Sequence, residues 1–202
     1  TTLFRSNISM NLIKDSIDKT KNFPTTSIIN LSITSGIVPN QLKIARVIPL
    51  FKSGKWDIFS NYRPVSILPA FSKNLERVIY NALLRFLSAF KFLSDNQYDF
   101  CKHHSTAYAL ACLYDKISSP IENKEYTVGI FIDLSKAFET VDHHLLASKL
   151  EHYGVWGAAL RWFESYLSGK QQYVKFNGSE SCQINCGVPQ GSILGPSSFC
   201  SI

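Results

Sequence analysis

An α+β fold is predicted by three features of the 202-residue sequence. Leu75, Val78, Ile79, Ala82, Leu83, Phe86, Leu87 and Phe90 recur at helical spacing. Tyr126 to Ile132 is a short run of apolar, β-branched and aromatic residues, the composition of a buried strand. Two stretches read as hairpins: Leu42 to Leu68 around Ser53-Gly54-Lys55, and Gln172 to Cys186 around Asn177-Gly178.

Residues 1 to 40 are polar with short apolar patches, helical in parts, and broken at Pro24, Gly36 and Pro39. Leu42 to Phe51 is rich in Ile, Val and Leu, and Pro64 biases Arg63 away from helix, so Tyr62 to Leu68 is also extended. The long helix after Pro69 has Ser72 as its predicted cap. A further helix is predicted from about Ser105 to Ser118, stopped by Pro120. The strand Tyr126 to Ile132 ends abruptly at Asp133. Asp142 caps a helix carrying Leu145, Leu146 and Leu150 and closed by Gly154; another covers roughly Ala158 to Leu167, closed by Gly169. In the second hairpin, the Ser179-Glu180 extension argues for a loop longer than two residues. Gly187 to Pro196 holds three glycines and two prolines, the composition of a tight bend or a close backbone approach, with a helix start after it.

With 45% hydrophobic and 18% charged residues, the composition is that of a folded domain and excludes a disordered chain. The longest apolar runs, Ala107 to Tyr114 and Val128 to Ile132, fall far short of the roughly 18 residues of a membrane span. The first residues show no basic segment followed by an apolar one, so no secretory signal is expected. Cys101, Cys112, Cys182, Cys186 and Cys200 are an odd set, which favours reduced thiols and an intracellular setting, nuclear or cytoplasmic. Cys182 and Cys186, four apart with polar Gln183 and Asn185 between them, resemble alternating strand positions more than a zinc knuckle. His103-His104 beside Cys101 does not read as a metal site, because adjacent histidines on an extended segment point to opposite sides and no second ligand cluster follows.

Charge is unevenly placed. Residues 1 to 100 carry 13 basic and 6 acidic side chains, whereas 101 to 202 carry 8 and 9. From Gln41 to Lys91 nine basic residues face only Asp57 and Glu76, a surface that attracts a polyanion, nucleic acid first. A carboxylate at a buried strand's end, a basic hairpin upstream and a glycine-rich turn downstream are the parts needed to hold a triphosphate and its metal ions.

Four segments then resemble one family in its own order. Phe131-Ile132-Asp133-Leu134-Ser135-Lys136-Ala137-Phe138 with Thr140-Val141-Asp142-His143, and Gly187-Val188-Pro189-Gln190-Gly191-Ser192-Ile193-Leu194-Gly195-Pro196, are similar to motifs A and B of non-LTR (LINE-like, jockey-type) retrotransposon reverse transcriptases. Val47-Ile48-Pro49-Leu50-Phe51-Lys52-Ser53-Gly54 and Asn61-Tyr62-Arg63-Pro64-Val65-Ser66-Ile67-Leu68-Pro69 resemble the finger motifs of that family.

The resemblance implies a right-hand polymerase fold, with an N-terminal extension over 1–40, a fingers-like region over 41–125 and a partial palm over 126–202. It implies nucleotidyl transfer from deoxynucleoside triphosphates to a DNA primer 3′-end along an RNA template. Asp133 matches the motif A aspartate and, with the main-chain carbonyl of Leu134, would ligate Mg²⁺, for which hard oxygen donors suit. Phe138 matches the aromatic gate that excludes a 2′-hydroxyl, with Ala137 beside it at the nucleotide. Arg63 matches the arginine that grips the triphosphate, and Lys52 is a second candidate for that anion. Gln190 matches the motif B glutamine lying against the nucleotide.

Some positions depart from the pattern. Glu139 stands where the family has a second aspartate, and Gln97 to Thr106 lacks the glycines and arginine usual there. Motif C, with its paired aspartates, is expected some tens of residues after motif B, and the sequence ends at Ile202. A fragment without its thumb, inactive by itself, is therefore expected. A catalytically dead RNA-binding remnant and a product without a stable fold are the other readings.

Overall fold

In the computed structural model, residues 24–92, 94, 96–99, 104–134, 137–175, 179–184 and 187–195 are described. The readings placed on residues 1–23, Cys101, His103, Asn177-Gly178, Cys186, Pro196 and Cys200 lie outside them. Helix and sheet are mixed, as the sequence predicts. The elements are α1 (Pro24–Ser35), β1 (Ile44–Phe51), β2 (Tyr62–Ile67), α2 (Ala70–Ala89), α3 (Thr106–Glu122), α4 (His143–His152), α5 (Ala158–Leu167), β3 (Lys170–Lys175) and β4 (Ser179–Ile184).

Helix ends follow local chemistry. Gly36, at φ 72, ends α1 where a side chain would be strained and would meet the Ala158 carbonyl. Asp142 accepts from the amides of His144 and Leu145 and so caps α4; these bonds hold its carboxyl below the ordinary range. Gly154 and Gly169, both at positive φ, follow α4 and α5 as expected. Two expectations are corrected. Pro69, not Ser72, is the residue before α2, and the Ser72 hydroxyl inside the helix donates to the Leu42 carbonyl at 2.9 Å. Pro120 does not stop α3, which runs to Glu122; a proline in the last turn removes one amide donor without ending the coil.

The two hairpins join in one four-stranded sheet of order β2-β1-β3-β4. β1 and β2 are antiparallel, with Arg46 opposite Ile67 and Phe51 opposite Tyr62. β1 and β3 are parallel over Ile44–Arg46, and β3 pairs antiparallel with β4. Lys175 lies opposite Ser179, so three residues separate the paired ends, more than two as expected.

The core is built by α1, α2, α4, α5 and the loop at 187–194. Leu75, Ile79, Leu83, Phe86 and Leu87 of α2 meet Leu146 and Leu150 of α4 and Trp162, Phe163 and Leu167 of α5. Trp162 donates its indole N–H to Ser32 Oγ at 3.0 Å, tying α1 to α5. No helix among the described residues is long and apolar enough to cross a membrane.

The predicted buried strand Tyr126 to Ile132 is not one. Residues 125–134 carry no helix or strand, and Phe131 and Ile132 are more than four-fifths exposed. An apolar run becomes a strand only by pairing its amides and carbonyls, and no described strand pairs with this one.

Candidate functional site

The glycine-rich loop 187–195 is where three separated segments meet. Its amides at Gly187 and Val188 donate to the carbonyls of Val141 and Phe138 at 2.8 and 2.7 Å, which anchors it to the turn before α4. The Gln190 carbonyl accepts from the Ser66 amide at 2.7 Å, which anchors it to β2. His143 Nε2 lies 2.7 Å from the Gly187 carbonyl. Such approaches need glycine. A Cβ on Gly187 would stand 2.6 Å from the Glu139 carbonyl oxygen, and one on Gly191 2.7 Å from that of Ser66. Ser192 Oγ accepts from the Gly195 amide at 2.9 Å, which ties the end of the described loop back on itself.

Beneath the loop is a buried polar cluster. Glu76, 1% exposed, accepts the Tyr166 hydroxyl at 2.5 Å and the Ile193 amide at 2.7 Å. It thus joins α2, α5 and the loop. Burial and the adjacent Glu76 charge push the Tyr166 hydroxyl well above its ordinary range. Lys170 Nζ sits 3.5 Å over the Tyr166 ring with no hydrogen-bond partner among the described residues. Burial lowers its pKa to about 7, against an opposing pull from Glu76, while Lys43 nearby pushes the same way as burial. Lys43 itself is lowered by burial and donates to Ser165 Oγ at 3.5 Å.

The residues singled out in the sequence fall into two groups. Phe138, Gln190 and the strand of Arg63 are brought together by the loop's backbone bonds. Phe138 is half-buried against the core, and Gln190 is half-buried. Ala137 is half-buried and its carbonyl accepts from Thr140 Oγ1 at 3.3 Å. Arg63 lies three residues from Ser66 along β2, a rise of about 10 Å. Lys52 is exposed beyond β1, its amide bonded to the Asn61 carbonyl at 2.8 Å. Asp133 and Leu134 are exposed on the 125–134 segment, which carries no helix or strand.

Among the described residues no group of three or more His, Cys, Asp and Glu is placed to hold a metal ion. Asp133 and Leu134 therefore do not fit a two-metal centre with the groups described. Glu76, Tyr166 and Lys170 were missed in the sequence. One signal was available: Glu76 lies three and seven residues before Ile79 and Leu83, an acidic residue in register with an apolar helix face.

The model of the family described as "Reverse transcriptase (RNA-dependent DNA polymerase)" matches residues 52–202. The chain belongs to the reverse transcriptase family. The chain is 33% identical over 191 residues to the probable RNA-directed DNA polymerase from transposon BS of Drosophila melanogaster, covering 87% of this chain and 20% of that protein. It is 34% identical over 183 residues to the RNA-directed DNA polymerase from mobile element jockey of the same species, covering 85% and 19%. To the probable RNA-directed DNA polymerase from transposon X-element of that species it is 30% identical over 184 residues, covering 87% and 20%. The chain thus spans about a fifth of the length of the curated relatives it matches. The non-LTR, jockey-type resemblance of its motifs agrees with these matches.

Proposed function

We propose that this chain is the nucleotide-gripping part of an RNA-directed DNA polymerase, acting on deoxynucleoside triphosphates, an RNA template and a DNA primer. The observation that supports it best is the loop 187–191, hydrogen-bonded at once to β2 and to the Phe138 turn. In this reading residues 41–125 are the fingers and 126–202 part of the palm. Arg63 offers a planar, permanently charged fork to the triphosphate, and Lys52 a second cation. Phe138 and Ala137 stand at the sugar, where an aromatic ring leaves no room for a 2′-hydroxyl. Gln190 lies against the incoming nucleotide, and the glycines beside it let the main chain approach. Catalysis of this kind rests on positioning and charge stabilisation.

The test is equilibrium binding of deoxy- and ribonucleoside triphosphates to the 202-residue chain. Arg63→Ala is expected to weaken both about tenfold, and Phe138→Val to narrow the preference for the deoxy form. Unchanged affinity in the first and unchanged preference in the second would overturn the reading. The exposed position of Asp133, on a segment without helix or strand, favours a second reading, RNA binding without catalysis. Primer extension that needs Mg²⁺ and is lost in Asp133→Ala would refute that one.

A further inference from the structure

We infer that the loop joining β1 to β2 is a stacking platform for the unpaired bases of a single-stranded nucleic acid. The hairpin stays paired to its end, where Phe51 lies opposite Tyr62. Beyond that pair the chain is held by its own hydrogen bonds. The Lys52 amide donates to the Asn61 carbonyl at 2.8 Å, Asn61 Nδ2 to the Lys55 carbonyl at 2.7 Å, and the Tyr62 hydroxyl to the Trp56 carbonyl at 2.8 Å. Gly54, at φ 91, packs so closely that a Cβ would stand 2.6 Å from Asn61 Nδ2. A loop bonded in this way presents its side chains in set directions.

What it presents is aromatic. Trp56 is 82% exposed and Phe59 94%. The Trp56 ring centroid is 6.4 Å from that of Phe51, which meets Tyr62 edge-on at 5.5 Å. An apolar protein partner could also cover such rings, and charge decides between the two. From Arg46 to Arg63 the basic residues are Arg46, Lys52, Lys55 and Arg63, all exposed, and the acidic residue is Asp57. Arg46 and Arg63 share one face of the hairpin, because Arg63 pairs with Leu50, four residues from Arg46 on the same strand. Cations interleaved with exposed rings match a phosphate backbone whose bases have free faces. A duplex offers the phosphates but keeps its bases stacked on one another.

The inference rests on the nucleic-acid part of the proposed function and not on catalysis. It is tested with the full 202-residue chain, using short single-stranded RNA, single-stranded DNA of the same sequence and the matching duplex, each titrated by fluorescence anisotropy over a range of salt. Trp56→Ala and Phe59→Ala are each expected to weaken single-strand binding about tenfold, with duplex affinity unchanged. Lys55→Ala is expected to reduce the single-strand salt slope by about 0.7. Because both rings are exposed, an unfolding transition like that of the wild type certifies each variant. Wild-type affinity in both aromatic variants, or an equal loss on duplex, would overturn the inference. If the aromatic variants bind normally while Lys52→Ala and Arg63→Ala bind weakly, stacking fails and the nucleic-acid reading stands. If no salt-dependent binding is seen at all, both fall. Self-association that Trp56→Ala abolishes would assign the rings to a second copy of the chain, against the inference.

Discussion

Lys170 holds an ammonium where burial opposes it, over the Tyr166 ring and near the Glu76 carboxylate. Its pKa falls to about 7 in the folded chain, against an ordinary value of 10.5 when unfolded. Between these values the unfolded chain binds more protons, so stability rises with pH. Below about pH 7 both states carry the charge and its burial cost is fully present. Lys43 shifts in the same direction and adds to the slope. Tyr166, raised above its ordinary value of 10.0, acts oppositely once the unfolded phenol ionises. The urea midpoint of the wild type is therefore expected to rise from about pH 7 to 9.5, and Lys170→Met to remove most of that rise. A flat wild-type profile over this range would show that the ammonium finds a partner and is not desolvated. None of this cluster was read from the sequence. A buried charge depends on what three distant elements place around it, which neighbours along the sequence do not announce.

At the scale of elements, what is local was legible and what depends on a distant partner was not. The Asp142 cap, the glycines after α4 and α5, and both hairpins follow from residues a few positions apart. The parallel pairing of β1 with β3 joins distant strands, and no turn residue announces it. Tyr126 to Ile132 failed for the same reason, since its composition suits a strand but its neighbours decide whether one forms. The loop 187–195 shows both sides. Its glycines marked a close approach, and only the fold shows that Glu139 and Ser66 are what they approach. Gly187 and Gly169 separate the two costs of adding a methyl group. Both have positive φ, but a Cβ on Gly169 meets nothing within 4 Å, whereas one on Gly187 meets the Glu139 backbone. Gly169→Ala is expected to cost about 1 kcal/mol from conformation alone. Gly187→Ala is expected to cost about 3 kcal/mol, because backbone must also move. Urea unfolding of the two variants checks this, and equal losses would show that the loop yields freely.

Across the whole molecule, burial divides the chain into parts of unequal stability. α1, α2, α4 and α5 share one core, and Trp162, Leu83, Leu146 and Leu167 are almost fully enclosed in it. α3 contributes no buried residue, and Leu110, Leu113, Ile117 and Ile121 along it are exposed, as is the apolar segment from Val128 to Leu134. In water a helix of 17 residues without a packed face is marginal. Residues 106–134 should therefore open without disturbing the core, while the core elements open only by global unfolding. Native-state hydrogen exchange distinguishes the two. Amides of α3 and of 125–134 are expected to exchange at least about a hundredfold faster than those of α2 and α5, and to ignore low concentrations of urea, as local openings do. Core amides are expected to converge on the free energy of the cooperative urea transition, which also excludes a chain without a stable fold. Protection of α3 equal to that of α2 would mean that its apolar face is covered in solution, by a second copy or by the 125–134 segment folding onto it. Exchange across a concentration series separates those two cases, because only the first depends on how much protein is present.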